Sequence, residues 1–302
     1  MNRRGGTDKS ERRTVRGLTS PSAFLALMSV LLALPLAVTV TNSFMTEMEI
    51  SLRYTDKLSV FDIAEGIKEK FTSIALLPNE VTLDQYAEVL VNQPSFMLLL
   101  VNSVKITLPV VLGGLVVSLL GAYGFRVWRW RFKEAVFFAY IVVMLMPLQA
   151  VLVPNYIMAD ILKIKDSSLY LAIILPGIFS PFGTFLLRQS MKGLPEANLE
   201  AARIDGAGEW YIFCRVVLPQ MRSGIAAYMM LTFIEYWNIV EQAVIFIKDY
   251  TKEPLSVYLS RIADGRISLV FAASCVYMFP PLWMLIVGQK DLEKGIELSG
   301  IK

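Results

Sequence analysis

The chain has 302 residues, of which 55% are hydrophobic and only 18% are charged, and its mean hydropathy is +0.53. Soluble chains average about 25% charged residues, so this composition favours a membrane protein over a soluble globular one. The formal net charge is only +3, and the basic N-terminus is explained as a membrane-topology signal, so nothing indicates nucleic-acid binding.

Six apolar segments are each long enough to cross a bilayer, which takes about 20 mostly apolar residues. They are Ala23–Ser43, Phe96–Tyr123, Glu134–Tyr156, Ser168–Leu187, Gly224–Ile247 and Ser268–Gly288. Several contain proline, which membrane helices tolerate because neighbouring groups satisfy the freed backbone carbonyls. The sequence therefore predicts an all-α, polytopic membrane protein with six transmembrane helices.

Loop charge predicts the orientation of these spans, because Lys and Arg near span ends are retained in the cytoplasm. With the N-terminus inside, 18 of the 29 Lys and Arg residues lie in inner segments and 10 in outer ones. Both termini are therefore expected in the cytoplasm. The predicted organisation is a basic N-terminus (1–22), a first transmembrane helix (23–43), an outer connection (44–95), a five-helix core (96–288) and a cytoplasmic tail (289–302).

Some chemistries are excluded by what the sequence lacks. The chain has no histidine, which removes Ser-His-Asp catalysis and the commonest zinc ligand. It has no G-x-x-x-x-G-K-[ST] motif, so no P-loop for ATP is predicted. The two cysteines, Cys214 and Cys275, fall in different environments and predict no disulfide. We therefore expect no catalytic or metal-binding residues, and an energy source that is an ion gradient or a separate subunit.

Residues 194–220 separate the fourth and fifth predicted spans and are far more polar than either. Pro195 followed by an acidic residue is typical of a helix start. Asp205-Gly206 is expected to end this helix, with Gly206 in the left-handed conformation. A second, amphipathic helix follows, and Pro219 closes it. The segment is predicted to be a helix-turn-helix at the inner membrane face.

The composition of this turn favours contact with another protein. Three small residues, Ala201, Ala202 and Ala207, would let a partner surface approach the backbone closely. Glu200 and Asp205 could offer charge to that partner. The simpler alternative is an interfacial amphipathic linker that only joins two spans.

The pattern Glu200-Ala201-Ala202, Asp205-Gly206-Ala207 and then Val217-Leu218-Pro219 resembles the EAA loop of ATP-binding-cassette (ABC) importer permeases. Ser223 departs from the family, many members of which have proline there. Further similarity, from about residue 81 onward, is to the second permease subunit of maltose-type carbohydrate importers. The segments that show this similarity are Val81–Tyr86, Asn102-Ser103, Gly121–Arg126, Met146-Pro147, Val153-Pro154, Tyr236–Asn238, Lys294–Ile296 and Ser299–Lys302.

This resemblance implies a type I ABC importer permease in the inner membrane of a prokaryote, transporting a sugar or oligosaccharide. The implied partners are a second permease subunit forming a heterodimer, two cytoplasmic ATPase subunits and an extracytoplasmic solute-binding protein. The EAA loop (residues 194–220) would be the coupling loop that binds the ATPase. The permease itself would be non-catalytic and hold no cofactor, since ATP and Mg²⁺ would bind the ATPase subunits.

A polar face on the fifth predicted span is a candidate for the substrate path. Glu235, Asn238 and Gln242 are spaced i, i+3, i+7, with Trp237 beside them. Polar groups inside a span usually face a cavity or a partner. The face could equally pack against the second permease or lie near the outer mouth. Weaker candidates are Gln149 and Asn155.

Two other function classes are compatible with parts of the sequence. A secondary transporter would suit six helices and intramembrane acids but leaves the EAA-like loop unexplained. A membrane enzyme would need a clustered acid or metal site that the loops do not show. Within the importer class, the solute could instead be a peptide or a phosphorylated polyol.

Overall fold

The protein is described by a computed structural model that covers residues 20–54, 76–128, 130–164, 170–262 and 267–299. Within these ranges the regular structure is helical and no strand occurs, so the predicted all-α fold class is confirmed. The α-helices are, in chain order, α1 Ser20–Asn42, α2 Glu47–Tyr54, α3 Asp84–Ala87, α4 Pro94–Val127, α5 Lys133–Met144, α6 Leu148–Ile161, α7 Leu171–Ile178, α8 Pro181–Lys192, α9 Glu196–Ile204, α10 Glu209–Ile212, α11 Leu218–Gln220, α12 Arg222–Trp237, α13 Glu241–Phe246, α14 Leu255–Ile262 and α15 Ile267–Ser299. Two π-helical stretches, Glu88–Asn92 and Phe213–Val217, extend α3 and join α10 to α11.

Four helical segments of the described chain are long and apolar enough to cross a membrane. They are Ala23–Asn42, Pro94–Val127, Leu171–Lys192 and Ile267–Glu293, which correspond to the first, second, fourth and sixth predicted spans. A fifth crossing exists if the bent pair α5 and α6 is one span. The count of six therefore stays a prediction.

The third predicted span is not a straight helix. α5 and α6 are bent by 101° at a short break that contains Pro147. Pro147 has extended backbone angles, φ −64° and ψ 141°. Proline has no N–H to donate to the preceding turn and disfavours helical angles in the residue before it. Pro147 therefore breaks this span into two helices, although the apolar pattern of the sequence predicted one continuous helix.

The fifth predicted span is broken as well. α12 ends at Trp237 and α13 begins at Glu241. At the break, Asn238 Nδ2 donates to the Ile234 carbonyl at 2.8 Å, and the Tyr277 hydroxyl lies 2.8 Å from the Trp237 carbonyl. The Ile234 carbonyl also accepts the Asn238 backbone amide at 3.2 Å, so the Asn238 side chain adds a second donor there, while the Tyr277 hydroxyl satisfies the Trp237 carbonyl at the helix end.

The described chain divides into two compact units, the smaller of which holds residues 1–91 and 264–275. In this unit Met45 and Ile50 form a small core, against which Phe271 packs. The Ser43 hydroxyl lies 2.7 Å from that of Tyr86, and the Thr82 amide donates to the Phe44 carbonyl at 2.9 Å. The segment that begins at residue 76 is thereby joined to the end of α1.

The larger unit holds residues 92–263 and 276–302 and is built around α4, on which α7, α8 and α12 pack. One buried cluster includes Ile106, Val110 and Ile173 together with residues of α13 and α14. A second cluster joins Leu119 and Leu186 to the EAA loop and to α12. α4 therefore connects the region of the broken helix to the EAA loop.

Asn102 and Ser103 of α4 hold the loop that precedes α14. Asn102 Nδ2 donates to the carbonyls of Thr251 and Glu253 at 2.9 and 3.1 Å. The Leu255 amide donates to Ser103 Oγ at 2.8 Å. These two residues, which belong to the family resemblance, therefore have a structural role: their side chains hydrogen-bond to the loop before α14.

Candidate functional site

The first helix of the EAA loop ends in a Schellman motif, which is a paired set of hydrogen bonds closed by a left-handed residue. The Ala207 amide donates to the Ala202 carbonyl at 3.0 Å, and the Gly206 amide to the Arg203 carbonyl at 3.1 Å. Gly206 has φ +78°. The predicted helix-turn-helix is confirmed, and so is the left-handed conformation of Gly206.

One face of the EAA loop is buried in the core. Leu199, Ile212 and Val217 are each fully buried. They pack in a cluster with residues of α4, α8 and α12, including Leu119 and Tyr228. Full burial of an aliphatic side chain contributes about 1.5–3 kcal/mol. This apolar face attaches the loop firmly to the helices behind it.

Glu209, which the sequence analysis did not single out, joins the two helices of the loop to α4. Arg203 Nε, at the end of α9, donates to Glu209 Oε1 at 2.9 Å. The Tyr123 hydroxyl of α4 donates to Glu209 Oε2 at 2.6 Å. One carboxylate therefore fixes the turn and ties it to the core helix, 86 residues away in the chain.

These contacts favour the charged form of Glu209. The hydrogen bond from Arg203, and then that from Tyr123, holds the pKa of the Glu209 carboxyl below its ordinary value. Hydrogen bonds to a carboxylate stabilise its ionised form. The hydrogen bonds of the Glu209 carboxylate to Arg203 and Tyr123 are therefore fully formed near neutral pH and weaken at acidic pH.

Arg126 ties the start of the loop to α4. Its Nη1 donates to the Met191 carbonyl, and its Nη2 donates to the Leu194 carbonyl at 3.1 Å. The same Nη2 lies 3.4 Å from Glu196 Oε2. Arg126 closes the Gly121–Arg126 motif noted in the sequence, and the structure gives that motif a role in holding the EAA loop.

The opposite face of the loop is open. Glu200, Ala201, Asp205 and Gly206 are exposed, while Ala202 and Ala207 are half-buried. The side chains of Glu200 and Asp205 contact no charged group of the described chain.

Three large apolar side chains on this face were missed by the sequence reasoning. They are Ile204, Trp210 and Tyr211, which are 86%, 69% and 59% exposed. Ile204 lies five residues after the buried Leu199, a spacing that places it off the buried helix face. This spacing could have indicated from the sequence that Ile204 is exposed. The open face thus combines two acids, small residues and apolar groups.

The polar residues proposed for the substrate path gather at the break between α12 and α13. Glu235, Asn238 and Gln242 line a cavity of about 290 Å³. They meet there because the chain turns at the break, and not because they share one continuous helix face as predicted. Their role in transport stays a prediction.

Trp237 is separate from this group. It is 2% exposed, its Nε1 donates to the Tyr277 carbonyl at 3.1 Å, and its ring stacks on Phe233 and Tyr277. It does not line the cavity, so the structure gives it a packing role. Glu241 does line the cavity, and Gln149 Nε2 donates to its carboxylate at 3.1 Å. Glu241 thus lines the cavity together with Glu235, Asn238 and Gln242.

Permease proteins of two transport systems are similar to most of the chain. An arabinooligosaccharides transport system permease of Halalkalibacterium halodurans is 25% identical over 228 residues, covering 74% of this chain and 81% of that protein. An sn-glycerol-3-phosphate transport system permease of Pectobacterium atrosepticum is 30% identical over 210 residues, covering 68% and 74%.

Two solved structures share the fold. A bacterial ABC transporter involved in alginate import superposes with a TM-score of 0.73 at 21% identity, covering 94% of this chain and 99% of that one. A chain of the alginate ABC transporter in complex with an alginate pentasaccharide-bound periplasmic protein gives 0.56 at 15% identity, covering 69% and 81%.

The family model for the inner membrane component of binding-protein-dependent transport systems matches residues 83–279. This range contains the EAA loop, the ties to Tyr123 and Arg126, and the cavity at the broken helix. The expected importer-permease family is thus confirmed, and with it a multi-pass membrane location. The chain belongs to the family of inner-membrane components of binding-protein-dependent transport systems.

Proposed function

We propose that this protein is a permease subunit of an ATP-driven importer and that its EAA loop binds a cytoplasmic ATPase subunit. The observation that carries the proposal is that the EAA loop has one buried face and one exposed face. Its buried face is joined to the core helices, while Glu200, Asp205 and Ile204 are exposed and Trp210, whose ring contacts Phe213, is 69% exposed. Such a surface suits a protein partner, because exposed apolar patches rimmed by charge are typical of interaction sites.

The loop is built to transmit movement. Arg126, Tyr123 and Glu209 tie both of its helices to α4 through hydrogen bonds. A displacement of the open face would therefore move α4, α8 and α12 together, since packed interiors do not deform locally at low cost. ATP-driven closure of an ATPase pair would supply that displacement. ATP and Mg²⁺ would be held by the ATPase subunits and not by this chain.

The remaining assembly follows from the same proposal. A second permease subunit would complete the translocation path, and an extracytoplasmic binding protein would deliver the solute. One solved structure of similar fold is described in complex with a periplasmic protein. The excess of Lys and Arg in the segments on the EAA-loop side supports a cytoplasmic position for the loop and both termini.

The proposed solute is a neutral sugar or oligosaccharide. Relatives transport arabinooligosaccharides and sn-glycerol-3-phosphate, and a structure of similar fold imports alginate. The cavity at the broken helix is lined by Glu235 and Glu241 and, among its described residues, by no cation. The Glu241 carboxylate repels an anionic solute, whereas the hydroxyl groups of a sugar can donate hydrogen bonds to both side chains. This lining favours a neutral polyol over a phosphate or a polyuronate.

Two substitutions in the open face test the role of the loop. Gly206→Leu would place a bulky side chain at positive φ, and Glu200→Ala would remove a charge offered to the partner. Both variants should insert in the membrane and assemble with the second permease, but lose co-purifying ATPase subunits or ATPase stimulation by the loaded binding protein. If both keep ATPase association and solute uptake at normal levels, the loop is only a linker.

A further inference from the structure

Two neighbouring cavities lie beside the end of α4, away from the EAA loop's open face and from the broken helix. The larger, of about 660 Å³, has a mostly apolar lining that includes Leu120, Gly124, Trp128 and Val136. The smaller, of about 220 Å³, is lined by charged residues. Phe125 and Lys133 belong to both linings, so the two cavities share a wall.

The smaller cavity is strongly basic. Its lining holds four cations and one carboxylate, namely Arg126, Lys133, Arg188, Lys192 and Glu196. Glu134 adds a second carboxylate, which pairs with Arg188 Nη2 at 2.6 Å. The positive charge still exceeds the negative charge by two.

Arg188 gives this cavity an unsatisfied donor. The residue is only 5% exposed, and its guanidinium carbon lies 3.7 Å from the centre of the Phe137 ring. Its Nη1 is buried and has no hydrogen-bond acceptor among the described residues. Leaving a charged donor unpaired in a buried site is costly, and an anion in the adjoining cavity would stabilise the positive charge of this guanidinium.

The position along the chain indicates where such an anion comes from. The cavities lie at the end of the membrane helix α4, beside the exposed aromatic side chains of Trp128, Trp130 and Phe132. Aromatic rings of this kind are enriched at membrane–water interfaces. Basic pockets at the ends of membrane helices bind lipid headgroups.

We propose that these joined cavities bind one anionic phospholipid of the adjoining leaflet. Its phosphate would lie in the basic cavity, where it accepts hydrogen bonds from Lys133 and Lys192 and lies beside the positive charge of Arg188. An acyl chain would lie in the apolar cavity against Gly124 and Trp128. The occupant would be a lipid because only a molecule with both an anionic head and an apolar tail fits both linings. This site does not include the residues proposed to contact the solute or the ATPase, although Glu196 at the start of the EAA loop belongs to its lining.

Native mass spectrometry of the full-length chain in a neutral detergent tests the site. The probes are dioleoyl phosphatidylglycerol, dioleoyl phosphatidylcholine and sodium phosphate. Phosphatidylglycerol should bind in preference to phosphatidylcholine, and millimolar phosphate should not displace it. Lys133→Gln and Lys192→Gln should each weaken phosphatidylglycerol binding about fivefold, with little change for phosphatidylcholine.

A second variant tests the apolar cavity, and a third serves as the control. A Cβ atom at Gly124 would meet no atom within 4 Å, so Gly124→Leu fills the cavity without a backbone clash and should weaken binding of phosphatidylglycerol. Arg222→Gln removes an exposed cation outside both linings and should leave it unchanged. Arg188 is kept, because its ion pair and ring contact contribute to folding.

Three results would overturn the proposal. Equal binding of the two lipids would show an apolar surface with no headgroup site. Displacement of phosphatidylglycerol by phosphate alone would show a site for a free anion. Equal losses in Lys133→Gln and Arg222→Gln would show a general effect of surface charge.

Discussion

Gly206 controls how the EAA loop turns between its two helices. Its φ of +78° is in the left-handed region, where a residue with a Cβ atom is less stable by about 1–2 kcal/mol. Space is not the constraint, since a Cβ there would meet no atom within 4 Å. This feature could be predicted from sequence because the Schellman motif is local: one helix, one glycine and the next residue define it.

Gly206→Ala should therefore lower the free energy of unfolding by about 1–2 kcal/mol through backbone conformation alone. Gly124→Ala is the matched control, because Gly124 is equally open but lies inside α4 without a positive φ, where alanine does not lower stability. Denaturation of the full-length protein in detergent measures both. Equal losses in the two variants would contradict the assigned role of Gly206.

Glu209 makes the stability of the loop dependent on pH. Because its pKa is lowered in the folded protein, its contribution is fully present above the ordinary Glu pKa of about 4.3 and is lost as pH falls through the lowered value. The midpoint of thermal unfolding of the wild type should exceed that of Glu209→Gln near pH 7, and the gap should narrow toward pH 4 and below. Glu200→Gln, which removes an exposed carboxylate, should show no such gap, and a gap independent of pH would refute the assignment.

At the scale of helices, the two breaks show where sequence reasoning fails. The apolar run through Gly224–Ile247 predicts one helix, but the chain stops at Trp237. The Tyr277 hydroxyl, from a helix 40 residues away, lies beside the terminal carbonyl and Asn238 Oδ1. Hydropathy averages over a window and contains no information about such a distant contact. Pro147 was visible, but its neighbours decide whether a proline is tolerated or ends the helix.

A substitution at the break between α12 and α13 tests whether the cavity there takes part in solute uptake. Asn238→Ala should reduce sugar uptake by a reconstituted importer, because it removes a polar group from the cavity lining and a ligand of the α12 end. Assembly and basal ATPase activity should stay near normal. Gln289→Ala, which removes an exposed amide outside that lining, is the control. Unchanged uptake in Asn238→Ala would show that the polar lining is structural.

At the scale of the whole molecule, composition and one motif were enough to predict a membrane protein and its family. The ties that make the EAA loop part of the core were not predictable. The hydrogen bonds from Tyr123 to Glu209 and from Arg126 to Leu194 each join residues more than 60 positions apart. The periodicity of a sequence contains no information about such pairs. Arg126 stood within a recognised motif, yet only the fold shows that it holds the loop.

The central claim is that the open face of the EAA loop binds an ATPase subunit in the cytoplasm, and site-directed cross-linking tests it most directly. Ala201→Cys would be placed in a background of Cys214→Ser and Cys275→Ser, with the ATPase, the second permease and the binding protein co-expressed. The control is Lys163→Cys, in the loop after α6 on the proposed outer side.

A thiol-to-amine cross-linker should join the cysteine at position 201 to the ATPase subunit, and ATP should change the yield as the ATPase pair closes. The control cysteine should give no such product and should react with a membrane-impermeant thiol reagent added outside intact cells. Absence of the cross-link at position 201, together with labelling of that cysteine from outside, would contradict the account.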